Sequence, residues 1–182
     1  MAMRWIYKPK IVNLSVPSGG QLSLLIGVKS DGGDVDSVDV VERISNEVAA
    51  VVAISPPVDF AVFTEGLQQT PEAQGGAADT EAMEAQALDI SPNLFVDAED
   101  PPTLLIHGDA DRTVLITHSE LMYAELQARR VPSEFVVVPG AGHRIALDAI
   151  VDESRGESLS DEVETVREAR LEWFNRYLLD DH

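Results

Sequence analysis

The chain has 182 residues, 45% of them hydrophobic, which is enough for one domain with a buried core and too little for two ordinary ones. It contains no cysteine, so disulfide frameworks, thiolate metal sites and cysteine nucleophiles are excluded. The formal net charge is −19, and so negative a field repels nucleic-acid phosphates and anionic membrane surfaces. We therefore expect a single domain over residues 1–182 that binds neither nucleic acid nor membrane.

The chain also lacks the patterns typical of membrane insertion, export and metal binding. No apolar run approaches the roughly 18 residues that a membrane-spanning helix needs. The N-terminal stretch MAMRWIYKPK has no continuous apolar core like that of a signal peptide. His118 has no ligand partner one helical turn away, and His182 is the last residue. These observations predict a cytoplasmic protein without a metal or another cofactor.

The first half of the chain predicts two strands, a helix and an insertion. Residues 10–16 (KIVNLSV) form a short apolar run that stops at the turn formers PSGG, and QLSLLIGV then opens a helix near Gln21. Residues 48–54 (VAAVVAI) are continuously apolar and suit a strand that is buried on both faces. Residues 61–90 are polar and rich in Ala, Gln and Glu, which predicts a lid-like or flexible insertion.

The second half continues the alternation of strands and helices. TLLIHGDADRTV follows Pro101 and Pro102 and predicts a buried strand ending in a loop, before a helix over 117–130. Residues 134–138 (EFVVV) predict another strand, and Ser160 is placed to cap a C-terminal docking helix. Strands that are apolar on both faces need helices to cover them. The pattern predicts an α/β fold with a short, mainly parallel sheet of about four strands and flanking helices.

Three polar side chains follow predicted strands. They are Ser18, Asp111 and His143, in that chain order. Functional groups of an open α/β sheet collect at the carboxyl ends of its strands. Serine, then aspartate, then histidine is the chain order of a triad in which the acid orients the imidazole and the imidazole accepts the serine proton.

Two motifs resemble those of a known superfamily. HGDADRTV (107–114) and VPGAGH (138–143) are similar to the acid and histidine motifs of α/β-hydrolases. The flanking text is similar to small esterases related to bacterial feruloyl and acetyl esterases, and to prolyl-oligopeptidase-like hydrolases. The resemblance implies a partial α/β-hydrolase fold, Asp111 as the acid, His143 as the base and a small-molecule ester as substrate. It also implies that Asp109 lies in the turn and that His107 is a packed turn residue.

The nucleophile motif of that superfamily, G-x-S-x-G, is altered here. Counted without a gap from the residues that follow, the nucleophile position falls on Pro17, which has no hydroxyl. A shift by one residue makes Ser18 the nucleophile, with Gly20 two positions on, Val16 in place of a glycine, and the Gly19 N–H as oxyanion donor. Alternatively, PSGG is only a turn that caps a helix. The protein would then be a catalytically inactive hydrolase-like protein or fragment with a binding or assembly role.

The resemblance also implies that the N-terminal part is shortened. Members of the superfamily carry about a hundred residues before the nucleophile, including a loop that donates half of the oxyanion hole. Without those strands, the strand over residues 10–16 would lie unpaired at a sheet edge. Because such an edge invites pairing with another chain, we expect a homo-oligomer formed through this strand.

Overall fold

In a computed structural model of the chain, the structure describes residues 17–60, 80–145, 147–148 and 160–179. The predicted strand over 10–16 and most of the predicted insertion lie outside these ranges. The described elements are, in chain order, helix α1 (Pro17–Val28), strand β1 (Val51–Ile54), helix α2 (Thr80–Asp89), a short 3-10 helix (Pro92–Leu94), strand β2 (Thr103–Gly108), helix α3 (Thr117–Arg129), strand β3 (Ser133–Val138) and helix α4 (Asp161–Leu178).

The three strands form one parallel sheet in the order β1-β2-β3. Val51 is paired with Thr103 at one end of the first strand pair, and Thr103 is paired with Ser133 in the second. Each connection passes through helices, as a parallel arrangement requires. The predicted α/β class with a partial, mainly parallel sheet is confirmed.

The sheet is covered on both faces, which explains why its strands are continuously apolar. On one face, Val52, Ile54, Leu104 and Ile106 pack with residues of α4, including the buried Trp173. On the other face, the alternate strand residues pack against helices α1 and α3. The buried residues of this cluster include Leu24, Val51, Ala53, Leu105, Met122 and Leu126. The helices bury β1 and β2 completely, whereas β3 is only partly buried. The carboxyl ends of the three strands therefore form one common edge.

Helix α1 begins four residues earlier than the sequence predicts, at Pro17 rather than near Gln21. Proline suits the first helical turn, where its missing N–H has no partner within the helix in any case. A Cβ at Gly20 would lie 3.1 Å from the carbonyl oxygen of Ile54, and a Cβ at Gly27 would lie 3.0 Å from Val51. The helix thus runs antiparallel to β1 and in close contact with it. The interpretation of PSGG as a turn is wrong: these residues are the first turn of the helix.

Helices α3 and α4 agree with the sequence analysis, whereas helix α2 was not predicted. Ser160 caps α4 as predicted, because its hydroxyl accepts the Val163 N–H. Helix α2 forms the last part of the predicted insertion. Its last residue, Asp89, forms an ion pair with Lys29, which directly follows α1. The Lys29 ammonium lies 2.6 Å from the Asp89 carboxylate. A lid-like role for the whole stretch 61–90 stays a prediction.

Over the described ranges, no helix is both long and apolar enough to cross a membrane.

Candidate active site

Asp111 and His143 meet at the carboxyl edge of the sheet. Asp111 lies in the loop after β2, His143 lies in the loop after β3, and Asp111 Oδ2 is 2.7 Å from His143 Nδ1. The Asp111 side chain is fully buried, whereas 22% of the His143 side chain is exposed. A substrate can therefore reach the imidazole but not the carboxylate. Within the described ranges His143 makes no other hydrogen bond, so its Nε2 atom is available for proton transfer.

The Asp111 carboxylate is held on both of its oxygen atoms. Oδ1 accepts the N–H of Thr113 at 2.8 Å and the N–H of Val114 at 3.0 Å, which leaves Oδ2 for His143. Burial is the largest influence on this group and raises its pKa. Hydrogen bonds from His143, Thr113 and Val114 outweigh burial, so the pKa lies below its ordinary value of 3.8. The carboxylate is thus ionised and oriented toward the imidazole.

The loop that carries His143 docks on the loop that carries Asp111. The Ala110 N–H donates to the Ala141 carbonyl at 3.1 Å, and the Gly140 N–H donates to Asp109 Oδ1 at 2.7 Å. Gly140 has a φ of +77°, a conformation that suits glycine. Gly108 lies under Ala141, where an added Cβ would be only 2.1 Å from the Ala141 oxygen. The contact between the acid and the base therefore depends on a close backbone approach at Gly108.

The structure places the predicted nucleophile region at the same edge of the sheet. Ser18 and Gly19 lie in the first turn of α1, and Gly20 packs against Ile54 at the carboxyl end of β1. The backbone at Ser18 is helical, whereas a nucleophile elbow holds its serine in a strained strand-to-helix turn. Ser18 as nucleophile and Gly19 as oxyanion donor stay predictions.

A different serine has the strained backbone. Ser55 follows β1 directly and has a φ of +48°, and its side chain is buried. Its hydroxyl has no hydrogen-bond partner in the part of the chain that the structure describes. Strained residues of this kind concentrate at functional sites. No motif in the sequence predicts a role for Ser55, although a serine between an apolar strand and Pro56 marks a strand end.

Two further histidines lie near the site and differ in their surroundings. His107 is the penultimate residue of β2 and is completely buried, and it bonds through both ring nitrogens. It is a strand residue rather than a turn residue, although it is packed as the resemblance implied. His118 lies in α3, and its Nδ1 atom accepts the Val58 N–H at 3.3 Å. Among the described residues, no group of acidic or histidine side chains could hold a metal ion.

A cavity of about 550 Å³ opens beside His143. Its lining residues come from the loop after β3 and from the start of α4, and they include Gly142, His143, Ile145, Ser160 and Glu162. This volume lies within the range of small-molecule binding pockets.

The buried histidines make stability depend on pH in the mildly acidic range. Burial, the largest influence, lowers the pKa of His107 below its ordinary value of 6.5, and that of His118 likewise. Asp111 lies near His107 and opposes this shift, whereas His118 and His143 add to it. Below pH 6.5 the unfolded chain binds protons that the folded chain does not, so the free energy of unfolding falls as the pH falls.

We expect denaturant unfolding between pH 7.5 and 5 to show a shallower pH dependence in His107→Gln than in the wild type. Asp100 acts in the opposite direction, because burial raises its pKa from 3.8 to about 6, so the folded chain takes up this proton first as the pH falls. Because Asp100 is present in both the variant and the wild type, its contribution to the pH dependence cancels in the comparison. Equal slopes would show that the folded chain does not keep His107 neutral.

An α/β sheet with an aspartate–histidine pair at its carboxyl edge defines the class of the α/β-hydrolases. Residues 5–126 match the model of the BD-FAE family. The chain belongs to this family, which is an esterase family of the α/β-hydrolase fold. The resemblance of the chain to this superfamily is thereby confirmed, and the matched residues include the acid motif (107–114) but not the histidine motif (138–143).

Solved structures of esterases are similar to this chain. The acetyl ester-xyloside bifunctional hydrolase of Caldicellulosiruptor lactoaceticus has a TM-score of 0.60 at 24% identity, over 87% of this chain and 53% of that one. A truncated carbohydrate esterase from gut microbiota has a TM-score of 0.53 at 32% identity, over 70% of this chain and 50% of that one. Esterase 2 of Thermogutta terrifontis, phosphorylated by paraoxon, has a TM-score of 0.56 at 18% identity, over 87% of this chain and 50% of that one.

A peptidase is similar over a shorter stretch. Dipeptidyl-peptidase 5 of Porphyromonas endodontalis is 36% identical over 53 residues, which are 29% of this chain and 8% of that protein. The chain thus spans about half the length of the similar structures and a small part of the peptidase. The matches at 18% and 24% identity establish the fold alone.

Proposed function

We propose that this protein is a serine hydrolase acting on carboxylic esters, with His143 as general base, Asp111 as its acid partner and Ser18 as nucleophile. The observation that carries the proposal is the 2.7 Å contact between Asp111 Oδ2 and His143 Nδ1. The acid of this pair is buried and its base is partly exposed, which is the arrangement that such catalysis needs.

Each residue has a defined step. Ser18 Oγ attacks the ester carbonyl carbon while His143 Nε2 accepts its proton. Asp111 keeps the other imidazole proton on Nδ1 and stabilises the imidazolium that forms. The Gly19 N–H, in the first turn of α1, donates to the oxyanion, and His143 returns the proton to the departing alcohol. Water then releases the acid from Ser18 by the same route, and no cofactor or metal takes part.

The substrate in this proposal is a small ester. The cavity of about 550 Å³ beside His143 has room for a small molecule. The net charge of −19 disfavours anionic substrates. The names of two similar structures, an acetyl ester-xyloside bifunctional hydrolase and a carbohydrate esterase, support short acyl esters as the first compounds to test.

The direct test is hydrolysis of nitrophenyl acetate by the wild type, Ser18→Ala and His143→Ala. We expect each substitution to lower the rate by about a thousandfold or more, because triad members act as a unit. Ser30→Ala is the matched control, since Ser30 follows the other end of α1 and its hydroxyl donates to the Gly27 carbonyl at 2.8 Å. Equal rates in all four proteins would overturn the proposal.

A second candidate is a catalytically inactive hydrolase-like protein or fragment with a binding or assembly role. The helical backbone at Pro17 and Ser18 favours it, because this conformation differs from a nucleophile elbow. Absence of hydrolysis above the rate of the double variant Ser18→Ala/His143→Ala would select it.

A cytoplasmic location and a homo-oligomer through the predicted strand over residues 10–16 belong to the proposal. Sedimentation of the wild type beside Val12→Lys tests the oligomer.

A further inference from the structure

His107 makes hydrogen bonds that connect strand β2, the loop that carries Asp111, and helix α3. Its Nδ1 atom lies 2.7 Å from Ser119 Oγ in α3, and its Nε2 atom lies 2.9 Å from the Val114 carbonyl oxygen. The same Nε2 atom is 3.4 Å from Asp111 Oδ2. Ser119, like His107, is completely buried. The imidazole therefore joins β2, the loop that carries the acid, and α3 without contact with solvent.

The partners of His107 determine its tautomer. A carbonyl oxygen only accepts hydrogen bonds, so the proton must be on Nε2, facing Val114. In the neutral ring Nδ1 is then an acceptor, and the Ser119 hydroxyl donates to it. Burial, as the largest influence, lowers the pKa of His107 and keeps the ring neutral. A neutral ring does not compete with His143 for the negative charge of Asp111.

The backbone of Val114 transmits this arrangement to the carboxylate. Its N–H donates to Asp111 Oδ1 at 3.0 Å, while its carbonyl, in the next peptide unit, accepts from His107. Holding this carbonyl restrains the backbone of Val114, and with it the N–H that orients Oδ1. When Oδ1 is held in this way, Oδ2 points toward His143 Nδ1.

We propose that His107 is a positioning residue for Asp111, which it orients through the backbone of Val114 and through the approach of its own Nε2–H to Oδ2. The role in catalysis rests on the proposed hydrolase function, whereas the positioning itself does not. His107 would then belong to a series of hydrogen bonds that runs from Ser119 through His107, Val114 and Asp111 to His143. A histidine that only fills the core would have no influence on the Asp111–His143 hydrogen bond.

The readout is the low-field proton resonance of the His143 Nδ1–H, observed in protein with ¹⁵N-labelled histidine. The chain has four histidines, so the ring signals can be assigned by substitution. We compare His107→Leu, which removes the donor, with His107→Gln, which can keep an N–H near the Val114 carbonyl. His118→Gln is the matched control, because His118 is a second partly buried histidine whose Nδ1 atom accepts the Val58 N–H, in the segment after β1.

We expect the resonance to be present in the wild type, His107→Gln and His118→Gln, and to be lost or shifted in His107→Leu. The same substitution should lower kcat about a hundredfold with a smaller change in KM, since a misplaced catalytic group has an effect of this order. If His107→Leu does not fold, His107→Phe decides, because its ring fills similar space and has no N–H for the Val114 carbonyl. A wild-type resonance in the folded His107→Leu protein, or in His107→Phe in its place, would overturn the positioning role. If the wild type does not hydrolyse esters, the proposed function fails while the resonance still tests the positioning.

Discussion

Replacement of Asp111 by asparagine is expected to lower kcat/KM for a short-chain nitrophenyl ester by about ten thousandfold. The asparagine carbonyl can still accept the N–H groups of Thr113 and Val114, so the loop keeps its structure. Its amide group would then face His143 Nδ1 and donate to it. The imidazole proton would be displaced to Nε2, and the ring could no longer accept a proton from the nucleophile.

The matched control for this substitution is Asp109→Asn. Asp109 lies two residues earlier, and its Oδ1 atom accepts the Gly140 N–H at 2.7 Å, a bond that asparagine can also make. We expect Asp109→Asn to keep the wild-type rate within about threefold, because it changes neither Asp111 nor the ring tautomer of His143. A similar loss of rate in both variants would mean that negative charge in the loop matters and that the Asp111–His143 contact does not.

Gly108→Ala is expected to destabilise the fold and to separate the acid from the base. The added methyl carbon would lie 2.1 Å from the Ala141 oxygen and 2.6 Å from its carbonyl carbon, so the backbone itself must move. Overpacking of this kind costs about 1 to 3 kcal/mol. The loop that carries His143 is the part that can move away. We therefore expect a lower free energy of unfolding in denaturant and loss of the low-field resonance of the His143 Nδ1–H.

Gly32→Ala is the control for the second prediction. A Cβ at Gly32 would meet nothing within 4 Å, and the residue lies in the exposed loop between α1 and β1. We expect this variant to unfold within about 0.5 kcal/mol of the wild type. If Gly108→Ala were as stable as Gly32→Ala and kept the resonance, the close approach at Gly108 would not hold the two loops together.

Strands β1, β2 and β3 could be predicted from sequence because each is a short, mainly apolar run, but the length of β1 could not. Residues 48–54 are all apolar, yet the strand comprises only Val51–Ile54. Its partner β2 begins at Thr103, directly after Pro101 and Pro102, and proline has no N–H for a ladder. The Val51 N–H reaches the Pro102 carbonyl, and the pairing begins there. The partner strand limits the length, and a single apolar run does not contain this information.

The start of α1 also depends on a contact that is distant in the chain, so its prediction from sequence is wrong. Pro17, Gly19 and Gly20 are typical of turns and predict one here. In the structure, Gly20 leaves room for the carbonyl of Ile54, so the glycine serves helix packing rather than chain reversal. Local propensity does not separate these two uses of glycine, because the neighbour that decides between them lies more than 30 residues away in the chain.

The residues of the site that lie in short sequence motifs could be predicted, whereas those whose role depends on contacts between distant elements could not. Asp111 and His143 were found because their motifs lie in short segments that each follow a strand, and parallel strands bring those segments to one edge. The importance of His107 and Gly108 depends on distances to Ser119 and Ala141, in other elements. A polar residue within the buried strand TLLIHG is the one signal in the sequence that draws attention to His107.

The most direct test of the proposed acid–base pair is peptide mass spectrometry after reaction of the protein with a fluorophosphonate ester, which labels activated serine hydroxyls. We predict a label on Ser18 in the wild type and a label reduced by about a thousandfold or more in rate in His143→Ala. A wild-type protein that remains unlabelled at Ser18, or that reacts equally fast without His143, would contradict the assignment of Asp111 and His143 to ester hydrolysis through Ser18.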